Sequence, residues 1–283
     1  MGTLLSVQLP RNKTEAFEEV FQKFRGIDDM LSTYKKNSEV SLLNSGKTVT
    51  LSNITQLAFN ESISLYTKTN GYFNIFTGKK TISARNNHEH LLLKTQIPNF
   101  QANFNLDGNS LKLKNKSKID LGGMAKGFAV DQSLIWLKSN NIERAQISAS
   151  GDIGCIGTCK IFVQSPLAEI NLLSFTSKGP RLAVSTSGNY RKKSLSHIVN
   201  PKTGHFVSHW LSVTLISDGD NTQLDASATA VFSMPKGIAL KFLKTNNIQY
   251  VLVDFDKNLY YSDTLETFVS DLKWLNIKDL KIK

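Results

Sequence analysis

The chain has 283 residues, 40% of them hydrophobic, and a formal net charge of +11. That is enough apolar material for a sizeable core, in one large domain or two closely joined lobes. No run of ~18 apolar residues exists, which excludes a membrane-spanning helix, and no secretory n-region, h-region and cleavage site opens the chain. Basic residues recur at Lys35-Lys36, Lys79-Lys80, Lys112 to Lys118 and Arg191-Lys192-Lys193. None of these runs carries interleaved aromatics or a nucleic-acid motif, so no nucleic-acid partner is expected. The charge reads as solubilising, as gathering an anionic cofactor, and as compatible with a membrane surface.

Thr3 to Leu9 reads as a strand. Glu15 to Leu31 reads as a helix, apolar at Phe17, Val20, Phe21, Phe24, Ile27 and Leu31, followed by a turn reaching residue 44. Leu57 to Thr67 is a second predicted helix, stopped by Lys68-Thr69-Asn70-Gly71 with Gly71 as the cap. Tyr72 to Thr77 reads as a short strand or loop, and Arg85 to His90, a polar stretch, as a loop. Phe100 to Leu113 suggests a hairpin turning at Asp107-Gly108-Asn109. Ser117 to Leu121 reads as extended, and Ala125 to Lys138 as an amphipathic helix ended by Asn140-Asn141.

The second half is richer in strands, with candidates at Ala145–Ser148, Lys160–Gln164, Leu182–Ser185, Leu195–Val199, Ser212–Ile216 and Tyr250–Phe255. Asn200-Pro201-Lys202-Thr203-Gly204 is a tight turn. Leu224–Ser233 and Pro235–Lys244 make two helices, with Pro235 in the first turn of the second. Cys155 and Cys159 form a poor zinc signature and read as two small residues in or beside a strand; export would permit a disulfide between them. Helices mixed with antiparallel strands place the fold in the α+β class.

Two segments carry chemistry. In Ile119-Asp120-Leu121-Gly122-Gly123-Met124-Ala125-Lys126 a diglycine precedes a helix and a lysine follows it. Glycine lets backbone approach a ligand closely, a helix start offers unpaired N–H groups, and a lysine completes an anion site. The bland alternative is a turn with a surface lysine. In Leu224-Asp225-Ala226-Ser227-Ala228-Thr229 the oxygens of Asp225 and Thr229, four residues apart, fall on one helix face. A carboxylate and a hydroxyl suit magnesium, which takes few protein oxygens and completes its shell with water and phosphate. The alternative is that Asp225 caps the helix and Thr229 is merely packed.

These residues also resemble a family. Met1-Gly2-Thr3, Ser32-Thr33-Tyr34 with Ser38-Glu39-Val40-Ser41 and Asn44, the run Asp120 to Asp131, Ser150-Gly151-Asp152-Ile153 with Gly157, Ser185 to Tyr190, His197 to Gly204, and Asp225 to Thr229 follow, in order, the blocks of the ApbE-type flavin transferases (FAD:protein FMN transferases). The resemblance runs nearly end to end. It implies the ApbE-type, T-fold-like α+β architecture. It implies a magnesium ion held by the Gly123 carbonyl, Asp225 and Thr229, with Ala228 adding its carbonyl. It implies FAD contacts at Met1, Tyr34, Asp120, Lys126 and Ile198.

The reaction the resemblance implies is attack of an acceptor protein's threonine hydroxyl on the FMN-side phosphorus of FAD, with AMP leaving. Lys126 would stabilise charge on the phosphate oxygens. His197 is a candidate base, with a structural hydrogen bond as the alternative, and Asp152 and Glu39 are candidates for orienting groups. The implied acceptors are subunits of sodium-pumping NADH:quinone reductase, related electron-transfer complexes or secreted flavoproteins. Two other readings share these residues: an FAD pyrophosphatase giving FMN and AMP, and a module that binds FAD without cutting it. Family members usually carry an export signal or lipoprotein anchor ahead of the Met-Gly-Thr strand. Here Met1 is itself the family's Met, so an exported and a cytoplasmic setting both stay open.

One block departs from the pattern. After Gly-x-Phe the family commonly has Asp and, two residues on, Thr; this chain has Asn74 and Phe76 unless the register slips by one to Thr77.

Overall fold

The computed structural model describes residue 2, residues 4–87, 100–188, 198–207 and 209–283. In chain order its elements are β1 (Leu5–Gln8), α1 (Ala16–Leu31), α2 (Glu39–Asn44), β2 (Val49–Thr50), α3 (Asn53–Lys68), α4 (Gly78–Asn87), β3 (Phe104–Asp107), β4 (Ser110–Leu113) and α5 (Ala125–Ser139). Then come β5 (Ala145–Ala149), β6 (Asp152–Ile156), β7 (Lys160–Gln164), β8 (Asn171–Ser177), β9 (Arg181–Gly188), β10 (Trp210–Ser217), α6 (Asn221–Ser233) and α7 (Lys236–Thr245). The chain closes with β11 (Gln249–Asp254), β12 (Asn258–Tyr261), α8 (Leu265–Phe268), β13 (Val269–Trp274) and β14 (Lys281–Ile282).

The scaffold is an eight-stranded sheet in the order β1-β5-β6-β9-β10-β11-β12-β14, antiparallel except for the last pair. Strand periodicity explains why both faces are dry. Along β9, Ala183 points into one core while Leu182 and Val184 point into the other; along β11, Leu252 and its neighbours Val251 and Val253 divide the same way. One face carries α5 and α6. The opposite face packs on the three-stranded sheet β13-β8-β7 through Ile161, Leu173 and Phe175. A third sheet, β2-β4-β3, lies beside α2 and α3 and closes over an aromatic cluster of Phe59, Phe76, Phe100 and Phe104.

The α+β expectation and most predicted elements agree with these elements, but several local readings need correction. The turn after α1 contains α2, because Ser38 caps it by accepting from the Ser41 N–H (3.0 Å). Ser52 does the same for α3 (Thr55 N–H, 3.3 Å), so that helix starts earlier than predicted. Gly71 takes φ +77° and its N–H closes onto the Tyr66 carbonyl (2.8 Å), as a helix-ending glycine should.

Arg85, Asn86 and Asn87 end α4 rather than sitting in a loop, and His88 and His90 lie outside the described residues. Ser117–Leu121 joins no sheet. Helix α5 is buried on nearly all sides rather than amphipathic, since it is wedged between α1, α6 and the sheet. The predicted strand Leu195–Val199 lies outside the described residues except for Ile198 and Val199, and Val199 bridges Phe206 around the predicted 200–204 turn. Pro235 is the N-cap of α7, one residue before its first turn. Cys155 and Cys159 are disulfide-bonded, joining the end of β6 to the approach to β7.

Candidate active site

Helices α5 and α6 build the site by packing their N-terminal halves together. Gly127 makes this possible: a Cβ there would stand 2.2 Å from the Asn221 carbonyl oxygen of α6. Asp131, one turn further along α5, accepts from the Asn221 N–H (2.9 Å) and from the N–H (2.7 Å) and hydroxyl of Thr222, and pairs with Arg181. It thereby satisfies the first two orphan N–H donors of α6. Asp225 returns the service, accepting from the Gly127 N–H in the first turn of α5 (3.0 Å). Each helix caps the other with a carboxylate. Asp225 therefore sits in the second turn of α6 and does not cap its own helix.

The mutual capping brings the chemistry-bearing groups together. Thr229, one turn beyond Asp225, donates to the Gly123 carbonyl (3.2 Å). A Cβ on Gly123 would stand 2.9 Å from the Thr229 hydroxyl, so the diglycine is what allows that approach. The Lys126 ammonium lies 2.9 Å from Asp152 and 3.3 Å from Asp225. Burial alone would lower its pKa, but the two carboxylates outweigh that and hold it well above the ordinary lysine value. Asp152, wholly buried and accepting from the Ser185 hydroxyl, is pushed up to about 6 by burial and by the charge of Asp225. It orients Lys126 from below the cavity.

A cavity of about 250 Å³ opens over these groups. Gly123, Lys126, Asp120, Ile198, Asp225 and Thr229 all line it, together with Asn74, Thr77, Thr81 and Arg85. Ala228 is fully buried and is not part of that lining. Tyr34 is exposed and sits on a neighbouring cavity with Asp120, Gly122 and Lys126. Met1 and His197 lie outside the described residues.

The remaining blocks act as supports. Asn44 pairs with the Ile119 backbone in both directions (2.8 and 2.7 Å), and the Asp120 N–H donates to the Ile75 carbonyl (2.8 Å). Those bonds hold Asp120 in place without a strand. Glu39 accepts from the Ser52 N–H (3.1 and 3.0 Å) and is a loop brace, away from the cavity.

The unusual block resolves by register. Phe76 is buried among the aromatic rings, whereas Asn74 and Thr77 face the cavity. Asn74 keeps a carboxylate-shaped acceptor, which takes the Phe76 N–H (2.9 Å).

Arg85 and Thr81 were missed by the sequence reading. Both approach the Asp120 carboxylate (2.7 and 2.6 Å), and their i, i+4 spacing on a helix was the available signal.

The donor chemistry suits a magnesium ion. Among the described residues no group of three or more His, Cys, Asp or Glu side chains is placed to hold a metal ion. A buried carboxylate, a hydroxyl and a backbone carbonyl beside an open cavity instead match a hard ion that completes its shell with water and phosphate.

The model of the ApbE family matches residues 1–252. A curated FAD:protein FMN transferase of Vibrio cholerae is 24% identical over 89% of this chain and 84% of its own length; one from Buchnera aphidicola is 28% identical over 80% and 75%. Among solved structures, the flavin transferase ApbE of Vibrio cholerae superposes with a TM-score of 0.74 at 22% identity, covering 95% of this chain and 96% of that one. The apo flavinyl transferase ApbE of Pseudomonas stutzeri gives 0.77 at 18%, covering 95% and 97%. These chains share the fold.

Proposed function

This chain belongs to the ApbE family, and from that premise we propose that it is an FAD:protein FMN transferase. It moves FMN from FAD onto a threonine hydroxyl of an acceptor flavoprotein and releases AMP. The observation that carries the reading is the convergence of Asp225, Thr229, the Gly123 carbonyl and Lys126 on one cavity. Magnesium, when bound through Gly123, Asp225 and Thr229, supplies charge neutralisation and alignment of phosphate oxygens.

The chain's own residues do the rest. Lys126 stays protonated and faces the phosphates from the start of α5. Asp152 pairs with that ammonium at 2.9 Å, closer than Asp225 does, and so anchors it from its own strand. Ile198 and Phe73 give the cavity an apolar wall against the ligand's rings.

The test is incubation of the purified protein with FAD and Mg²⁺, with and without a threonine-bearing acceptor domain, read by mass spectrometry and AMP release. One FMN mass on the acceptor, AMP in solution and inhibition by EDTA are expected. AMP and free FMN without acceptor labelling would make it a pyrophosphatase. Intact FAD in the presence of several acceptors would reduce it to a binding module.

A further inference from the structure

Arg85 stands where two cavities meet. The first is the one described above. The second, also about 250 Å³, is lined on its far side by Leu31, Thr33 and Tyr34 and shares Arg85, Asp120, Gly122 and Lys126 with the first. FAD has a matching outline, two bulky nucleotide halves joined by a diphosphate. The junction between the cavities is where such a diphosphate has to lie if one half occupies each.

Among the described residues two cations flank that junction, and they are not equivalent. Lys126 is already shared between Asp152 and Asp225. The Arg85 guanidinium is tied on one side only. Its Nε donates to the Thr81 carbonyl (3.1 Å), and one terminal nitrogen donates to Asp120 (2.7 Å) and Thr33 (3.3 Å). Among the described residues the other terminal nitrogen reaches only the Tyr34 hydroxyl, at 3.4 Å, while the guanidinium lies over the Tyr34 ring at 5.0 Å. A bond that long is weak, and a phosphate oxygen replaces it with a charge-assisted one. The stacking on Tyr34 and the pairing with Asp120 hold the planar fork ready for that exchange.

We infer that Arg85 is a ligand-binding residue that contacts the diphosphate at the junction of the two cavities. The inference rests on the FAD-dependent function proposed above and adds a contact from α4 to it. In this reading Arg85 contacts the ligand's diphosphate bridge from α4.

FAD affinity measured by flavin fluorescence tests this, on wild type, Arg85→Gln and Arg85→Lys, at low and high salt, with melting curves to confirm folding. Arg85→Gln is expected to weaken FAD binding about tenfold or more at low salt, because a charge-assisted bond is lost. The gap should narrow at high salt as the charge is screened, and Arg85→Lys, which keeps the charge, should recover part of the affinity. Wild-type affinity in Arg85→Gln overturns the inference. So does a loss of equal size at both salts with Arg85→Lys no better, since that marks a brace for Tyr34 and Asp120 rather than a reader of phosphate. If Arg85→Gln fails to fold, the salt dependence of Arg85→Lys against wild type decides by the same criterion. A wild-type protein that binds no FAD would instead strike the functional proposal itself, so the two failures are told apart.

Discussion

Asp225 serves two purposes with one carboxylate. It accepts a hydrogen bond that caps α5, and it faces the cavity beside Thr229. Asp225→Ala is therefore expected to abolish flavin transfer while lowering stability by about 1–2 kcal/mol, the usual worth of a lost cap, because Lys126 keeps Asp152 as its ion-pair partner. A transfer assay beside a thermal melt checks both, and a stable, fully active variant would sink the metal assignment. Asp152 makes a pH prediction. Its carboxyl titrates near 6 in the fold against an ordinary value of 3.8, so between those values the native state holds a proton that the unfolded chain has released. Its contribution to stability is present below about pH 4 and is lost as pH rises through about 6. Asp152→Asn should melt with a flatter pH dependence than wild type over that window; identical profiles would mean that this carboxyl is not raised.

Between elements, the contact of α5 with α6 decides the site's geometry. Gly127→Ala places a methyl against the Asn221 carbonyl, which is backbone and cannot swing aside. The helices must part, at a cost of about 1–3 kcal/mol, and Asp225 and Lys126 should move apart with them. A fall in both melting temperature and transfer rate is expected, larger in rate than Gly26→Ala on α1, where a Cβ meets open space. Asp131→Ala removes a buried partner from Arg181 and from the first N–H groups of α6. Breaking such a pair typically costs about 3 kcal/mol or more, which denaturant unfolding will show. The family block running from Asp120 to Asp131 thus partly lines the candidate cavity and partly forms the socket for the next helix.

For the whole molecule, one sheet separates two cores, and the Cys155–Cys159 disulfide links the large sheet to the small one. The loop it closes is short, so its chain-entropy contribution is modest, about 2 kcal/mol. Reduction with dithiothreitol, or a Cys155→Ser/Cys159→Ser double substitution, should lower the melting temperature by a few degrees without affecting FAD binding. The bridge lies on the sheet face away from α5 and α6, and its cysteines belong to the core that faces the small sheet. Loss of FAD binding on reduction would show that the two faces are coupled.

Much of this was legible in the chain. Apolar spacing marked α1 and α3, turn residues marked the 107–109 hairpin and the 200–204 turn, and the diglycine–lysine and Asp-x-x-x-Thr spacings marked residues that line the candidate cavity, because these signals act within a few residues. Tertiary structure decided what depends on residues far apart. Asp120 is placed by Asn44 and Ile75 without belonging to a strand. Phe76 turns inward because Phe100 and Phe104 receive it, which leaves Thr77 to the cavity. Helix α5 lost its expected polar face because three neighbours enclose it. Arg85 became a site residue only when α4 carried it to Asp120 and Tyr34. Local spacing fixes which groups share one helix face; which face meets which is settled by packing, and only there do a carboxylate from one helix and a backbone N–H from another become one site.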